Sequence, residues 1–198
     1  TIRKVELPEV ERSGCSLPVA NWRRLLCYMS ATPDLDPERL AIMILCRGKI
    51  LASEEFRKNE WFKEIDTDYL LPGICHILVV DRVAKIPLAE RLFFIRDKQP
   101  ARVSVAASPK HIAPPKEIAL DITITNYRGV PAEGRFAVSV TDHDLVRQEP
   151  WAENIQSYLL MSSDLKGHIE DPAYYFKDND PQTDYKLDLL MLTHGWTR

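Results

Sequence analysis

The first half of the chain alternates short apolar runs with polar breaks. The runs are four to eight residues long, rich in Ile, Val, Leu and Phe, and bounded by Gly, Pro or Asp. Runs of this length and composition favour β-strands over helices. The Gly-containing break Arg47-Gly48 separates two of them and predicts a β-hairpin. The predicted strands are 40–45, 49–56, 61–66, 74–80 and 88–95.

The strand series is interrupted at Asp97-Lys98-Gln99-Pro100, a stretch without apolar periodicity. We place a module boundary there, because domain boundaries fall in polar segments of this kind. Residues 1–97 are then predicted to form one β-sandwich and residues 98–198 a second module.

The second module is predicted to begin with three strands, at 102–107, 118–125 and 135–141. Every second residue of the last two strands is apolar, which is the period of a sheet with one buried face. These apolar positions are Ile118, Leu120, Ile122 and Ile124, followed by Phe136, Val138 and Val140.

After Thr141 the apolar spacing becomes helical, which predicts two helices added to the second module. The first carries Ile155, Tyr158, Leu159 and Leu165, with Pro150 near its start and Gly167 beyond its end.

The second helix is predicted to begin at Asp180-Pro181, as N-cap and first helical residue, and to end before Gly195. We expect its stripe to pack on the second module, because amphipathic helices gain most of their stability from such burial. The stripe is Tyr185, Leu189 and Leu192, with Trp196 capping the contact. The predicted fold class is therefore mainly β, with two consecutive sandwich modules and two added α-helices.

Composition places the chain in the ordinary globular class, with 198 residues, 45% apolar, 28% charged and a net charge of −3. The scattered Lys and Arg residues form no basic stripe, so nucleic acid is not expected as a partner. No apolar run approaches the ~20 residues that span a bilayer, and the first residues resemble no secretory signal. We expect a piece of a longer or processed protein, without a membrane span.

The tripeptide Asp142-His143-Asp144 carries the groups of a metal site or an acid–base site. It follows a predicted strand, however, and adjacent strand residues point to opposite faces. Asp side chains at a strand exit more often accept hydrogen bonds from nearby backbone in a turn. The turn is the favoured interpretation, and a metal-dependent hydrolase using His143 with Asp142 and Asp144 is the alternative.

The acidic stretch Asp178-Asn179-Asp180, with Asp184 beyond it, resembles the opening of a calcium loop. The Gly of such a loop is absent, Pro181 follows Asp180, and no Glu closes the twelve-residue span. Helix capping by Asp180 explains these residues better.

The cysteines and histidines show no spacing typical of a metal site. Free thiols are favoured for the cysteines, and one disulfide across a sheet stays open. The sequence therefore predicts no catalytic, cofactor-binding or metal-binding residue. The residues concerned are Cys15, Cys27, Cys46, Cys75, His76, His111, His168 and His194.

The aromatic cluster Tyr174-Tyr175-Phe176 has two interpretations, together with Trp151 and Trp196. Core packing between helices and sheet is favoured. The alternative is a surface on which a sugar ring stacks or a protein docks.

Three segments resemble large exported proteins of Bacteroides-type bacteria, which string together macroglobulin-like β-sandwich modules and often carry a TonB-dependent-receptor plug-like domain. The segments are Leu88-Ala-Glu-Arg-Leu-Phe-Phe-Ile95, the stretch 157–176 (SYLLMSSDLKGHIEDPAYYF) and the stretch 187–198 (LDLLMLTHGWTR). The resemblance covers most of residues 70–198.

The resemblance implies a non-catalytic structural or interaction module in the periplasm or at the outer membrane. The partners it suggests are other domains of the same full-length chain, outer-membrane proteins or an extracellular ligand. The Cys-Gly-Glu-Gln thioester segment of true alpha-2-macroglobulins does not occur in this sequence. Covalent protease trapping is therefore not expected, and a carbohydrate-binding module is a further alternative.

Overall fold

A computed structural model describes residues 9, 12–21, 24–108, 119–142, 144–147 and 149–194. The protein is mainly β, with several antiparallel sheets and two helices, as the sequence predicts. Contacts divide the chain into two compact units, one of Thr1–Arg96 with Glu149–Arg198 and one of Asp97–Gln148.

The strands described in the first unit are β1 Cys15–Ser16, β2 Val19–Asn21, β3 Leu25–Tyr28, β4 Ser30–Ala31, β5 Leu40–Cys46, β6 Lys49–Glu55, β7 Phe62–Ile65, β8 Gly73–Asp81 and β9 Ile86–Ile95. They form a four-stranded sheet in the order β6-β5-β8-β9, a three-stranded sheet β2-β3-β7 and the short pair β1-β4. The described neighbouring strands in all three sheets are antiparallel.

The hairpin predicted at Arg47-Gly48 is confirmed, with β5 and β6 on either side. Both turn residues have positive φ, 50° at Arg47 and 74° at Gly48. Two successive residues with positive φ form a turn whose twist matches that of the strands. The other strands predicted in this half are confirmed as β7, β8 and β9.

Both faces of the four-stranded sheet are apolar, and each contributes to a separate core. On β8, Cys75, Ile77 and Val79 lie in the first core, which also contains Leu25 and Ile65 of the three-stranded sheet. The alternate position Ile74 lies in the second core. The remaining buried residues of the second core are Leu92, Phe94, Met161, Leu165, Ile169, Leu187, Leu190 and Met191.

Helical segments of residues 155–194 supply the cover of the second core. They are α1 (Ile155–Ser157), continued by a π-helix at Tyr158–Ser162, a 3₁₀-helix at Pro172–Phe176, and α2 (Pro181–His194). Asn154 caps α1, since its side chain accepts from Ser157 N and the Ser157 hydroxyl accepts from Asn154 N, both at 2.9 Å. The first helix is therefore shorter than the predicted one, which was expected to begin near Pro150.

The start of α2 at Pro181 is confirmed, but the prediction for its packing face is wrong. Tyr185, Leu189 and Leu192 are 63%, 40% and 44% exposed. The buried face carries Thr183, Leu187, Leu190 and Met191 instead. Leu187, Leu190 and Met191 pack against the four-stranded sheet of the first unit, so the expected packing on the second module is also wrong. Trp196 lies outside the described residues.

Arg91 on β9 and Arg96, the residue that follows this strand, bind two aspartates one turn apart on α2. Arg91 donates from Nη2 to both carboxylate oxygens of Asp188 at 2.9 Å. Arg96 donates from Nε to Asp184 at 2.5 Å and from Nη1 to the Tyr175 carbonyl at 3.0 Å. Since charged hydrogen bonds are directional, these pairs fix the position of α2 along the strand.

The second unit contains the antiparallel pair β10 (Arg102–Ser108) and β11 (Ala119–Thr125). Both strands match the sequence prediction, whereas residues 135–141 form no strand. Alternation alone predicted that strand, but a strand also needs a hydrogen-bonded neighbour. Among the described residues, the pairing of β11 with the chain that follows it reaches only as far as the bridge Thr125–Pro131 and the hydrogen bond from Ala132 N to the Ile124 carbonyl.

Candidate functional site

Asp142 occupies a turn, as the favoured interpretation of the tripeptide predicted. Its Oδ1 accepts from Asp144 N at 2.8 Å and from Leu145 N at 3.3 Å. The carboxylate therefore stabilises local backbone in an Asx turn. His143 lies outside the described residues.

The acidic stretch before α2 also has a local structural role. Asp178 accepts from Thr183 Oγ1 at 2.8 Å and from Asp180 N at 3.3 Å. The bond from Thr183 is the main reason why the pKa of Asp178 lies below its usual range. Asp178 thus stabilises the segment that leads into α2, and the cap by Asp180 stays a prediction. Among the described residues, no group of three or more His, Cys, Asp and Glu could hold a metal ion.

Two of the four cysteines form a disulfide, the alternative that the sequence left open, so the favoured prediction of free thiols is wrong for Cys46 and Cys75. Cys46 on β5 and Cys75 on β8 are directly opposite residues with Cα atoms 4.5 Å apart, and both are buried. Cys15 and Cys27 are free thiols, as favoured. Burial, with a smaller contribution from Glu54, raises the pKa of Cys27 to about 12. A thiol in this environment is a poor nucleophile at neutral pH.

The described histidines lie in separate surroundings. His76 on β8 pairs across the sheet with Glu90 on β9, with 2.6 Å between Nδ1 and the carboxylate. His168 lines an open pocket, and the ring of His194 lies 3.2 Å from Thr193 Oγ1. His111 lies outside the described residues.

The aromatic cluster divides into a packed part and a surface part. Tyr175 and Phe176 pack against the second core, and the Phe176 ring meets Phe94 edge to face at 5.7 Å. For these two residues the core interpretation is confirmed. Tyr174 instead meets Trp151 edge to face, with 5.7 Å between ring centroids.

Two lysines surround the half-buried Tyr174. Lys186 Nζ donates to the Tyr174 hydroxyl at 2.6 Å, and Lys177 Nζ lies 4.4 Å from the ring centroid. Hydrogen bonding to Lys186 is the largest cause that lowers the pKa of this phenol. Since Lys186 belongs to α2, the contact also ties the 3₁₀-helix to that helix.

The first unit has an open pocket of about 570 Å³, whose lining residues all lie between positions 149 and 172. Its volume falls in the range of small-molecule sites. Four carboxylates line it, with Tyr158 and His168 as further polar groups. The acidic lining residues are Glu149, Glu153, Glu170 and Asp171.

The second unit exposes one apolar face on its two-stranded ribbon. The register places Val103 opposite Ile124 and Val105 opposite Ile122, so their side chains share a face. Val103 and Val105 are 64% and 60% exposed, and Leu120 and Ile122 are 42% and 41% exposed. The sequence predicted this face as buried, and that prediction is wrong for the described residues. Alternation specifies an apolar face, but another element must supply its cover.

No family model and no curated protein matches this chain. No described helix has both the length and the apolar character needed to cross a membrane.

Proposed function

We propose that the chain is a non-catalytic structural and interaction module of a larger exported cell-envelope protein. The observation that carries the proposal is the exposed apolar face of β10 and β11. Contiguous exposed apolar surface on a folded protein marks an interaction site. The opposite face, with Ser104 and Thr123 at its centre, is polar, so the ribbon has one side suited to a protein partner.

The finer fold proposal is a pair of macroglobulin-like or Ig-like sandwich modules. In the first unit, both larger sheets contribute to one core, since Leu25 and Ile65 of one sheet share it with Ile42, Ile44 and Ile77 of the other. Two sheets that bury their inner faces against each other are the basis of a sandwich. This packing supports the proposal, as does the resemblance to exported macroglobulin-like proteins.

The proposed location is the periplasm or the outer membrane. The disulfide between Cys46 and Cys75 supports it, because disulfides persist mainly in oxidising compartments outside the cytosol. Linkage to TonB-dependent uptake or to surface assembly follows from the resemblance alone. Fractionation of the source cells tests the location, and recovery of the native protein from the cytosol would contradict it.

The proposed partners are other domains of the same full-length chain, outer-membrane proteins or an extracellular ligand. Carbene footprinting tests the first of these, by comparing this chain with the longest natural polypeptide that contains it. Labelling of Val103, Val105 and Ile122 should fall several-fold in the longer protein. Ser104 and Thr123, on the opposite face of the same strands, are the matched controls.

Footprinting separates three outcomes. A loss of labelling on the apolar face alone supports a docked partner domain. Equal labelling of that face in both proteins counts against the other-domain assignment. Equal loss on both faces means general burial and contradicts a one-sided interaction surface.

A carbohydrate-binding function is the second candidate, because carboxylates and the Tyr158 side chain line the open pocket of the first unit. Sugar sites combine an aromatic ring with polar groups that fix the hydroxyls. Glycan-array binding that is lost in Glu153→Gln and retained in Glu54→Gln, a change outside the pocket, would favour it. The hydrolase alternative gains no support from Asp142, whose carboxylate already accepts two backbone N–H groups.

A further inference from the structure

The chain that follows β11 turns back and begins to pair with one edge of this strand. The turn after β11 has the Asn126 side chain accepting from Arg128 N and Val130 N, and Gly129 has a φ of 80°. Asn126 N then donates to the Val130 carbonyl at 2.8 Å, and Ala132 N donates to the Ile124 carbonyl at 3.0 Å. These bonds set an antiparallel register between β11 and the chain that follows.

Continuing the same register assigns a partner on β11 to each later residue as far as Ala137, which falls opposite Ala119. Gly134 falls opposite Ile122, and Phe136 falls opposite Leu120, both at positions where backbone groups exchange hydrogen bonds. Pro131 lies opposite Thr125, at the alternate position where a strand needs no N–H donor. The single proline of the segment is therefore compatible with pairing along its whole length.

Side-chain chemistry agrees with this register on both faces. Phe136 comes beside Leu120 on the apolar face, and Val138 and Val140 continue the alternation. On the polar face, Arg135 comes opposite Asp121, and opposite charges at directly facing positions stabilise a sheet. A slip by one residue would place Phe136 on the polar face, so the register is specified from both sides.

We propose that residues 132–137 are a strap that closes, as a third strand, along the edge of β11 that faces away from β10. In the described structure the strap is open, and its Phe136 is exposed. A closed strap occupies the edge to which a strand of another chain would otherwise add. Because this edge of β11 can pair with only one strand, closure of the strap and addition of a strand from another chain are mutually exclusive. The inference does not depend on the proposed function.

Disulfide trapping in the full chain tests the strap. Ala119 and Ala137 become directly opposite residues in the closed register, both are exposed, and both lie far from the turn. The protein's own pair Cys46 and Cys75 shows that opposite residues 4.5 Å apart in Cα position can be bridged. We expect Ala119→Cys with Ala137→Cys to form the bridge under mild oxidation, as identified by peptide mapping.

The matched control is Ala119→Cys with Thr141→Cys. Thr141 lies four residues beyond Ala137, so an extended strand places it on the same face and about 14 Å from Ala119. The first pair should cross-link about tenfold faster, a ratio that corresponds to ~1.4 kcal/mol. Equal rates would mean random collision of an open segment and would overturn the proposal. A first pair that does not cross-link would overturn it as well.

A second pair of variants separates strand pairing from mere proximity. Gly134→Pro removes an N–H that the closed strap donates to Ile122, whereas Glu133→Pro removes one that points away from β11. The faster cross-linking should be lost in the first variant and retained in the second. If both variants behave alike, the closed strand does not form.

Discussion

Leu187 and Leu189 offer a matched test of how α2 is seated. Both are leucines in the interior of one helix, so Leu→Ala changes the helix propensity equally at the two positions. Leu187 is 3% exposed and packs in the second core, whereas Leu189 is 40% exposed. Any difference between the two variants therefore reports tertiary burial.

The expected magnitudes follow from that burial. Truncation of a buried leucine removes its transfer free energy and leaves a cavity, at a cost of about 2–5 kcal/mol, and we expect about 3 kcal/mol for Leu187→Ala. Leu189→Ala leaves no enclosed cavity and exposes only part of a side chain, so about 1 kcal/mol or less is expected.

Urea denaturation followed by far-UV circular dichroism measures the difference. With a slope of about 2–3 kcal/mol per molar urea, Leu187→Ala should lower the unfolding midpoint by about 1 M. Leu189→Ala should lower it by less than half of that. Equal shifts, or a larger shift for Leu189→Ala, would refute the assignment of the buried face and favour the stripe of Tyr185, Leu189 and Leu192.

Three further predictions concern groups that fix the first unit. Asp188→Ala should lower the free energy of unfolding by about 1–3 kcal/mol, because the largely buried Arg91 loses the carboxylate whose two oxygens accept from Nη2. In a double-mutant cycle with Arg91→Met, the effects of the two substitutions should not be additive. Replacing both Cys46 and Cys75 by Ala should cost ~3.5 kcal/mol from chain entropy, given a sequence separation of 29, and reductant should then have no further effect on the denaturation midpoint. Cys27 should resist iodoacetamide at pH 8 in the folded protein, because its pKa is raised to about 12. The contribution of this thiol to the free energy of unfolding is complete below its unfolded pKa near 9 and is lost as the pH rises towards 12. A free energy of unfolding that stays unchanged between these pH values would contradict the burial of Cys27.

Strands β5 to β9 of the first unit could be predicted from sequence because local signals agree there, whereas the short strands β1 to β4 were not predicted. Arg47-Gly48 marks a tight turn, and the flanking apolar runs have the length of strands. The start of α2 was predictable for the same reason, since Pro181 suits the first turn of a helix. Each of these features depends on residues close together in the chain.

The packing face of α2 could not be predicted in the same way. Residues 185–192 contain six apolar side chains, so two different stripes satisfy helical spacing. The deciding factor is the position of Arg91 on β9 and of Arg96 just after it, because these arginines bind Asp188 and Asp184. Those partners lie about 90 residues away in sequence and give no local signal. The disulfide between Cys46 and Cys75 depends likewise on a strand register that spacing does not reveal.

The apolar pattern of β8 indicated that a further layer, formed by the helical segments of residues 155–194, packs on the four-stranded sheet. Ile74 to Val80 is almost continuously apolar, with His76 as the single polar side chain, whereas β11 alternates strictly. A continuous apolar run belongs to a strand covered on both faces, and strict alternation to one covered on a single face. The first core covers Cys75 and Ile77, so a second layer was required over Ile74, and residues 155–194 supply it. By the same reasoning, the alternation of β11 calls for one cover over Leu120 and Ile122, which is why we place the proposed interaction on that face.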